Sequence, residues 1–229
     1  DQLLNASVPD IFKNEYLSPR SPYTTLQIPT HGLGEWCKPL ETADIDDSGL
    51  RSIVKDNTYT TSLGIPFRVM KEGHNIVYTS LWDNYPDKIS IPLVGNASHA
   101  YLLMAGSTNH MQCRIANGVV RVYYTDGTYE TLELISPDNW CPIEQDFYWD
   151  EYAYNAPLPR PYRFHLKSGA VSRDLGKVLN IRRKTIRTIE DGAGVMLDIP
   201  LDKNKILKEL VVETLSNDVV VGLMSVTLQ

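Results

Sequence analysis

The chain has 229 residues, of which 42% are hydrophobic and 22% charged, enough apolar material for one well-filled core and a composition that excludes global disorder. Its formal net charge of −6 lacks the excess of Lys and Arg that a nucleic-acid or anionic-membrane binder needs. No apolar run approaches the roughly 18 residues of a membrane-spanning helix.

Residues 1–44 read as an extended leader that packs on, or links to, a main body at 45–229. The chain starts at Asp1 with neither Met nor a signal peptide, as expected of a mature form or of a piece of a longer chain. Prolines at 9, 19, 22, 29 and 39 interrupt any element. Tyr23 to Ile28 suits an edge strand, where proline does least harm. Glu41 to Gly49 is acidic and turn-rich and reads as an exposed approach.

From Leu63 the pattern is short strands with turn punctuation. Ile65–Met70, Ile76–Leu81, Ile89–Leu93 and Ala100–Ala105 come first. Met111–Ala116 then ends in Asn117-Gly118, and Val119–Thr125 ends in Asp126-Gly127, with Thr128–Ile135 closing the set. Asn-Gly and Asp-Gly tolerate the positive φ of type I′ hairpin turns. The spacing therefore predicts a three-stranded meander, with Val120, Val122 and Tyr124 on one face and Val119, Arg121 and Tyr123 on the other.

Residues 136–180 are proline- and aromatic-rich and read as long loops holding a strand at Tyr162–Leu166. Val195, Leu197, Ile199 and Leu201 alternate, and Val219–Leu228 reads as a buried strand. Ile206–Leu215 fits a helical face as well, but its β-branched pair Val211-Val212 favours a strand. No helix longer than ten residues is expected. The fold class is all-β: an antiparallel sandwich or jelly roll.

Catalytic motifs are absent. There is no P-loop, no H-E-x-x-H and no G-x-S-x-G. No two of the five histidines lie three to five residues apart, so the spacing offers no local metal site. The three cysteines, Cys37, Cys113 and Cys141, show no C-x-x-C spacing; one disulfide or three buried thiols both remain open. Asn5-Ala6-Ser7 and Asn96-Ala97-Ser98 match glycosylation acceptors, relevant in a eukaryotic source. The basic stretch Arg182–Lys184 with Arg187 reads as a solvated strand face.

The acidic cluster Glu144, Asp146, Asp150 and Glu151, interleaved with aromatics, admits a glycosidase carboxylate pair, a calcium site, or a solvated loop anchored by its rings. Trp82-Asp83-Asn84-Tyr85-Pro86 carries what sugar binding uses: a ring to stack on a pyranose, an amide and a carboxylate for its hydroxyls. It also suits a turn in which Trp82 plugs the sandwich. Ser107-Thr108-Asn109-His110 and Trp140 carry the same two readings.

Several of these stretches together resemble a known type of domain. They are Leu63–Phe67, Ser80–Pro86, Ala100–Met111, Tyr124–Thr128, Pro137–Trp140 and Asn217–Met224. The region 45–229 resembles the galactose-binding-like β-sandwich accessory region of large secreted glycoside-hydrolase-like proteins of gut Bacteroidetes. That resemblance implies export to the periplasm or cell surface, a catalytic domain elsewhere in the same parent chain, and no catalytic residue here. Glycan would then meet the strand-end loops at Trp82, Asp83, Asn84, Tyr85, Asn109, His110 and Trp140. No cofactor is expected beyond an optional structural calcium. A purely structural domain buttressing the catalytic one, or a stand-alone glycoside hydrolase using the loop carboxylates, are the competing expectations.

Overall fold

The computed structural model describes residues 3–12, 44–82, 85–108, 112–146, 159–181, 189–217 and 219–229. Within them, period-two apolar patterns become strands. Six make one sheet: β3 (Val77–Ser80), β5 (His99–Thr108), β8 (Tyr162–His165), β9 (Val171–Ser172), β10 (Ala193–Pro200) and β12 (Val219–Leu228), in the order β3-β12-β5-β10-β8-β9. Four make the second: β4 (Lys88–Pro92), β6 (Ala116–Tyr124), β7 (Tyr129–Ile135) and β11 (Leu207–Thr214), in the order β4-β11-β6-β7. A small ribbon pairs β1 (Thr58–Thr60) with β2 (Pro66–Arg68). Named pairings are all antiparallel, as the predicted sandwich requires.

Two cores flank the six-stranded sheet. On one face Leu102, Met104, Val195, Leu197, Val219 and Val221 pack against Val120, Val122, Leu210 and Val212 of the four-stranded sheet. On the other face Leu103, Ala105, Met196 and Val220 pack against a third layer built from Val8, Ile11, Leu50, Tyr59 and Phe67. A strand covered on both sides must be apolar throughout, which is why β5 and β12 read as continuous apolar runs. The four-stranded sheet is different: β4 and β7 alternate between exposed and half-buried residues along most of their length.

The third layer corrects one expectation. Glu41–Gly49 is not simply an exposed approach: Ile45 and Asp47 are buried, and Ser48–Ile53 forms a short helix, α1. The Asp47 carboxylate accepts from Asn75 Nδ2 (2.6 Å) and Arg51 Nε (3.0 Å), and Asn75 Oδ1 accepts the Val8 N–H (3.1 Å). That chain of bonds fastens residues 3–12 to the sheet, where Ala6 bridges Ile76. The candidate edge strand Tyr23–Ile28 lies outside the described residues.

The predicted meander is half correct. Asp126-Gly127 does turn β6 into β7, with only Gly127 of the pair at positive φ (+86°) and the Gly127 N–H bonded to the Tyr124 carbonyl. That is a type I turn followed by a left-handed glycine, not type I′. Asn117-Gly118 is no turn; both residues lie inside β6, and residues 112–115 form the turn instead of a strand. Gly118 is needed there because an added Cβ would press on the Val221 side chain and the Glu213 carbonyl. Ile206–Leu215 resolves as the strand β11, not a helix.

Gly106 in β5 sits where β12 and the ring of Trp140 press close on the backbone. An added Cβ would overlap the Val220 carbonyl oxygen and the ring of Trp140. Gly106→Ala is expected to destabilise the fold by about 1–3 kcal/mol, the cost typical of overpacking, read as a lower urea midpoint with an unchanged slope.

Candidate functional site

Strand pairing gathers four connections at one end of the sandwich. In the six-stranded sheet Val219, the first residue of β12, lies opposite Thr108 at the end of β5, and Val220 lies opposite Ser80 at the end of β3. In the other sheet Ala116 at the start of β6 lies opposite Ile135 at the end of β7, and Glu213 near the end of β11 lies opposite Lys88 at the start of β4. The β3–β4, β5–β6 and β11–β12 connections and the beginning of β7–β8 therefore converge. By position in the sequence, the predicted sugar-contacting residues all fall within these connections.

The aromatic members of that set turn inward. Trp82 is 6% exposed, and its indole N–H donates to the Asn217 carbonyl at 2.9 Å. Tyr85 is buried beside Tyr78, ring centroids 5.3 Å apart. Trp140 is 0% exposed and lies against Gly106. Neither indole offers a free face for stacking on a pyranose; both plug the end of the sandwich. Asp83, Asn84, Asn109 and His110 lie outside the described residues.

The residue that organises this end is one whose Asn-Gly pairing in the sequence predicts a hairpin turn. Asn117 is fully buried. Its side-chain oxygen accepts from Thr108 Oγ1 (2.6 Å), and its amide donates to the carbonyls of Gln112 (2.7 Å) and Ile115 (3.2 Å). Its own carbonyl accepts the N–H groups of Leu215 and Ser216. One side chain and one carbonyl thus tie β5, the 112–115 turn and the β11–β12 loop together. An Asn-Gly pair carries no local signal separating this role from a hairpin turn.

Next to this end lies a buried polar cluster. Arg163 of β8, 1% exposed, donates from Nε to the Gly194 carbonyl (3.0 Å), from Nη1 to Gln145 (2.5 Å), and from Nη2 to Ala193 (2.7 Å) and Pro142 (3.2 Å). The guanidinium thereby clamps residues 142–145 onto the sheet. Asp146 accepts the Gly176 N–H at 3.1 Å. Glu144 is 2% exposed, and its Oε2 has no hydrogen-bond partner among the described residues. Burial pushes its carboxyl up to about 7, against the opposing pull of its own backbone N–H and of Arg163. Burial likewise pushes the Cys141 thiol up to about 12, holding it as an unreactive thiol whose hydrogen points at the Gln145 carbonyl. The reading of this segment as a solvated loop therefore does not hold for Glu144 and Asp146; Asp150 and Glu151 lie outside the described residues.

Cys113 and Cys141 are free, and Cys37 lies outside the described residues. Among the described residues no three His, Cys, Asp or Glu side chains are grouped to hold a metal ion, and no helix is long and apolar enough to cross a membrane.

No family model, curated protein or solved structure matches this chain. What it does must be argued from its own residues.

Two consequences follow from this geometry. Asn117→Ala removes three side-chain hydrogen bonds and leaves buried groups without partners, so stability is expected to fall by about 2–4 kcal/mol, measured by chemical denaturation. Glu144 holds its proton more tightly in the folded chain than at its ordinary value of 4.5. As pH rises from about 4.5 to about 7 the unfolded chain releases that proton first, so this group's contribution to stability is full below the window and lost through it. Glu144→Gln is expected to flatten the pH dependence and to raise the melting temperature at pH 8 while changing little at pH 4.5.

Proposed function

We propose that this chain is a non-catalytic, carbohydrate-associated module of a secreted glycan-degrading protein. It recognises glycan weakly through the loops at one end of the sandwich. The observation that carries this reading is the convergence of the β3–β4, β5–β6, β11–β12 and β7–β8 connections on a single end. Loops presented together on a rigid double sheet are where β-sandwiches place ligand groups. The stiffness of the end supports it further: Trp82 on Asn217, Trp140 on Gly106 and the Asn117 network fix the loop bases. With both indoles buried, contact there falls to the polar side chains of Asp83, Asn84, Asn109 and His110, which suit sugar hydroxyls.

The absence of a hydrolase motif from the sequence and the sealing of Glu144 and Asp146 in the interior both favour a module without its own chemistry. A galactose-binding-like jelly roll, a catalytic domain in the same parent chain and a periplasmic or surface location fit the same reading. The inward Trp82 and Trp140 favour one second reading, a structural domain that buttresses its catalytic neighbour.

A glycan array of plant, mucin and bacterial polysaccharides, probed with and without calcium, separates the two. The module reading expects one class to bind reproducibly, with Asp83→Ala/Asn84→Ala or Asn109→Ala/His110→Ala weakening binding at unchanged melting temperature. Silence of the whole array at high protein concentration would sink it in favour of the buttress.

A further inference from the structure

Among the described residues the outer face of the four-stranded sheet is exposed or half-buried, except at Val119. Val120, Val122 and Tyr124 of β6 point into the inter-sheet core, so Arg121 and Tyr123 point away from it. Across the ladder Tyr123 lies opposite Tyr129 of β7, and Arg121 lies opposite Thr131. The two tyrosine rings sit with centroids 5.2 Å apart at 46°, and Tyr129 is 52% exposed. Beside them Arg121 Nη1 reaches Glu213 Oε2 at 2.6 Å, and Ser90 Oγ donates to Glu209 Oε2 at 2.5 Å. Aromatic rings next to fixed donors and acceptors match a sugar chain, which has apolar C–H faces and a rim of hydroxyls.

Charge selects among carbohydrates. This face carries Lys88, Arg121 and Lys208 against Glu133, Glu209 and Glu213, three of each sign. Arg121 is paired with Glu213, and Lys208 with Glu209. A uronate-rich or sulfated chain finds no excess of cations here; an uncharged one meets a face of balanced charge, most of it already paired.

We infer that the outer face of β4-β11-β6-β7 is a docking platform for a neutral polysaccharide, which stacks on the Tyr123–Tyr129 pair and hydrogen-bonds to Arg121, Glu213 and Glu209. The inference rests on the glycan-binding reading above and supplies the aromatic surface that the buried indoles cannot. Both readings are tested in one experiment: affinity electrophoresis of the whole chain in gels containing xyloglucan, galactomannan, amylopectin or, as the charged comparison, polygalacturonate. The platform predicts retardation by at least one neutral polymer and none by polygalacturonate. Tyr129→Ala and Tyr123→Ala should each weaken that binding about tenfold, while Tyr129→Phe preserves it, and all should retain the wild-type melting temperature within a few degrees. Retention of full binding by the tyrosine variants, with loss in Asp83→Ala/Asn84→Ala, overturns the platform and leaves the loop reading intact. Tyrosine variants that bind glycan normally but change sedimentation behaviour assign the face to a protein contact and overturn it as well. Binding of no polymer by the wild type overturns both.

Discussion

The structure depends on one constraint: the six-stranded sheet is apolar on both faces and must be covered twice. β5 and β12 run through its middle with hardly a polar position in their buried stretches. The four-stranded sheet covers one face. The other is covered by pieces with little secondary structure of their own, namely residues 3–12, α1 and the β1–β2 ribbon. Burial of apolar area is the dominant favourable term in folding. A sheet of this kind without its third layer would expose a continuous apolar surface, an aggregation-prone state. The Asp47–Asn75–Val8 hydrogen bonds make that layer specific rather than merely greasy.

This double cover explains where function can reside. Positions on the six-stranded sheet are occupied by packing on both sides. Among the described residues the more open surface is the outer face of the smaller sheet, whose alternate positions are exposed on β4 and β7 and mostly half-buried on β6 and β11. Large aromatics at the loop end serve the core, and the tyrosines on the open face do not. The same residue class thus has opposite roles in two parts of one domain, decided by what lies beyond the sheet.

Local signals in the sequence were sufficient for much of the fold. Alternation in Val195, Leu197 and Ile199, the β-branched pair in β11 and the Asp126-Gly127 turn each report a nearest-neighbour preference, and each became the expected element. Signals that depend on distant partners were not legible. Asn117 looked like a turn residue because its partners, Thr108 and the β11–β12 loop, come from other strands. Trp82 and Trp140 sat in loops of sugar-binding composition. Their burial depends on the Asn217 carbonyl 135 positions away and on a missing Cβ at Gly106. The buried Glu144 resembled a solvated acid because nothing in its neighbourhood announces the Arg163 clamp. The grouping of the loops at one end is likewise a property of strand order, which no single segment encodes.

The central claim, a glycan-recognising module whose indoles are structural, is tested most directly by a two-dimensional amide NMR titration with neutral oligosaccharides cut from plant glucans and mannans. The account predicts shifts confined to the loop end and to the outer strands β6 and β7, while the indole N–H signals of Trp82 and Trp140 stay in place. An unchanged spectrum at millimolar oligosaccharide would contradict it.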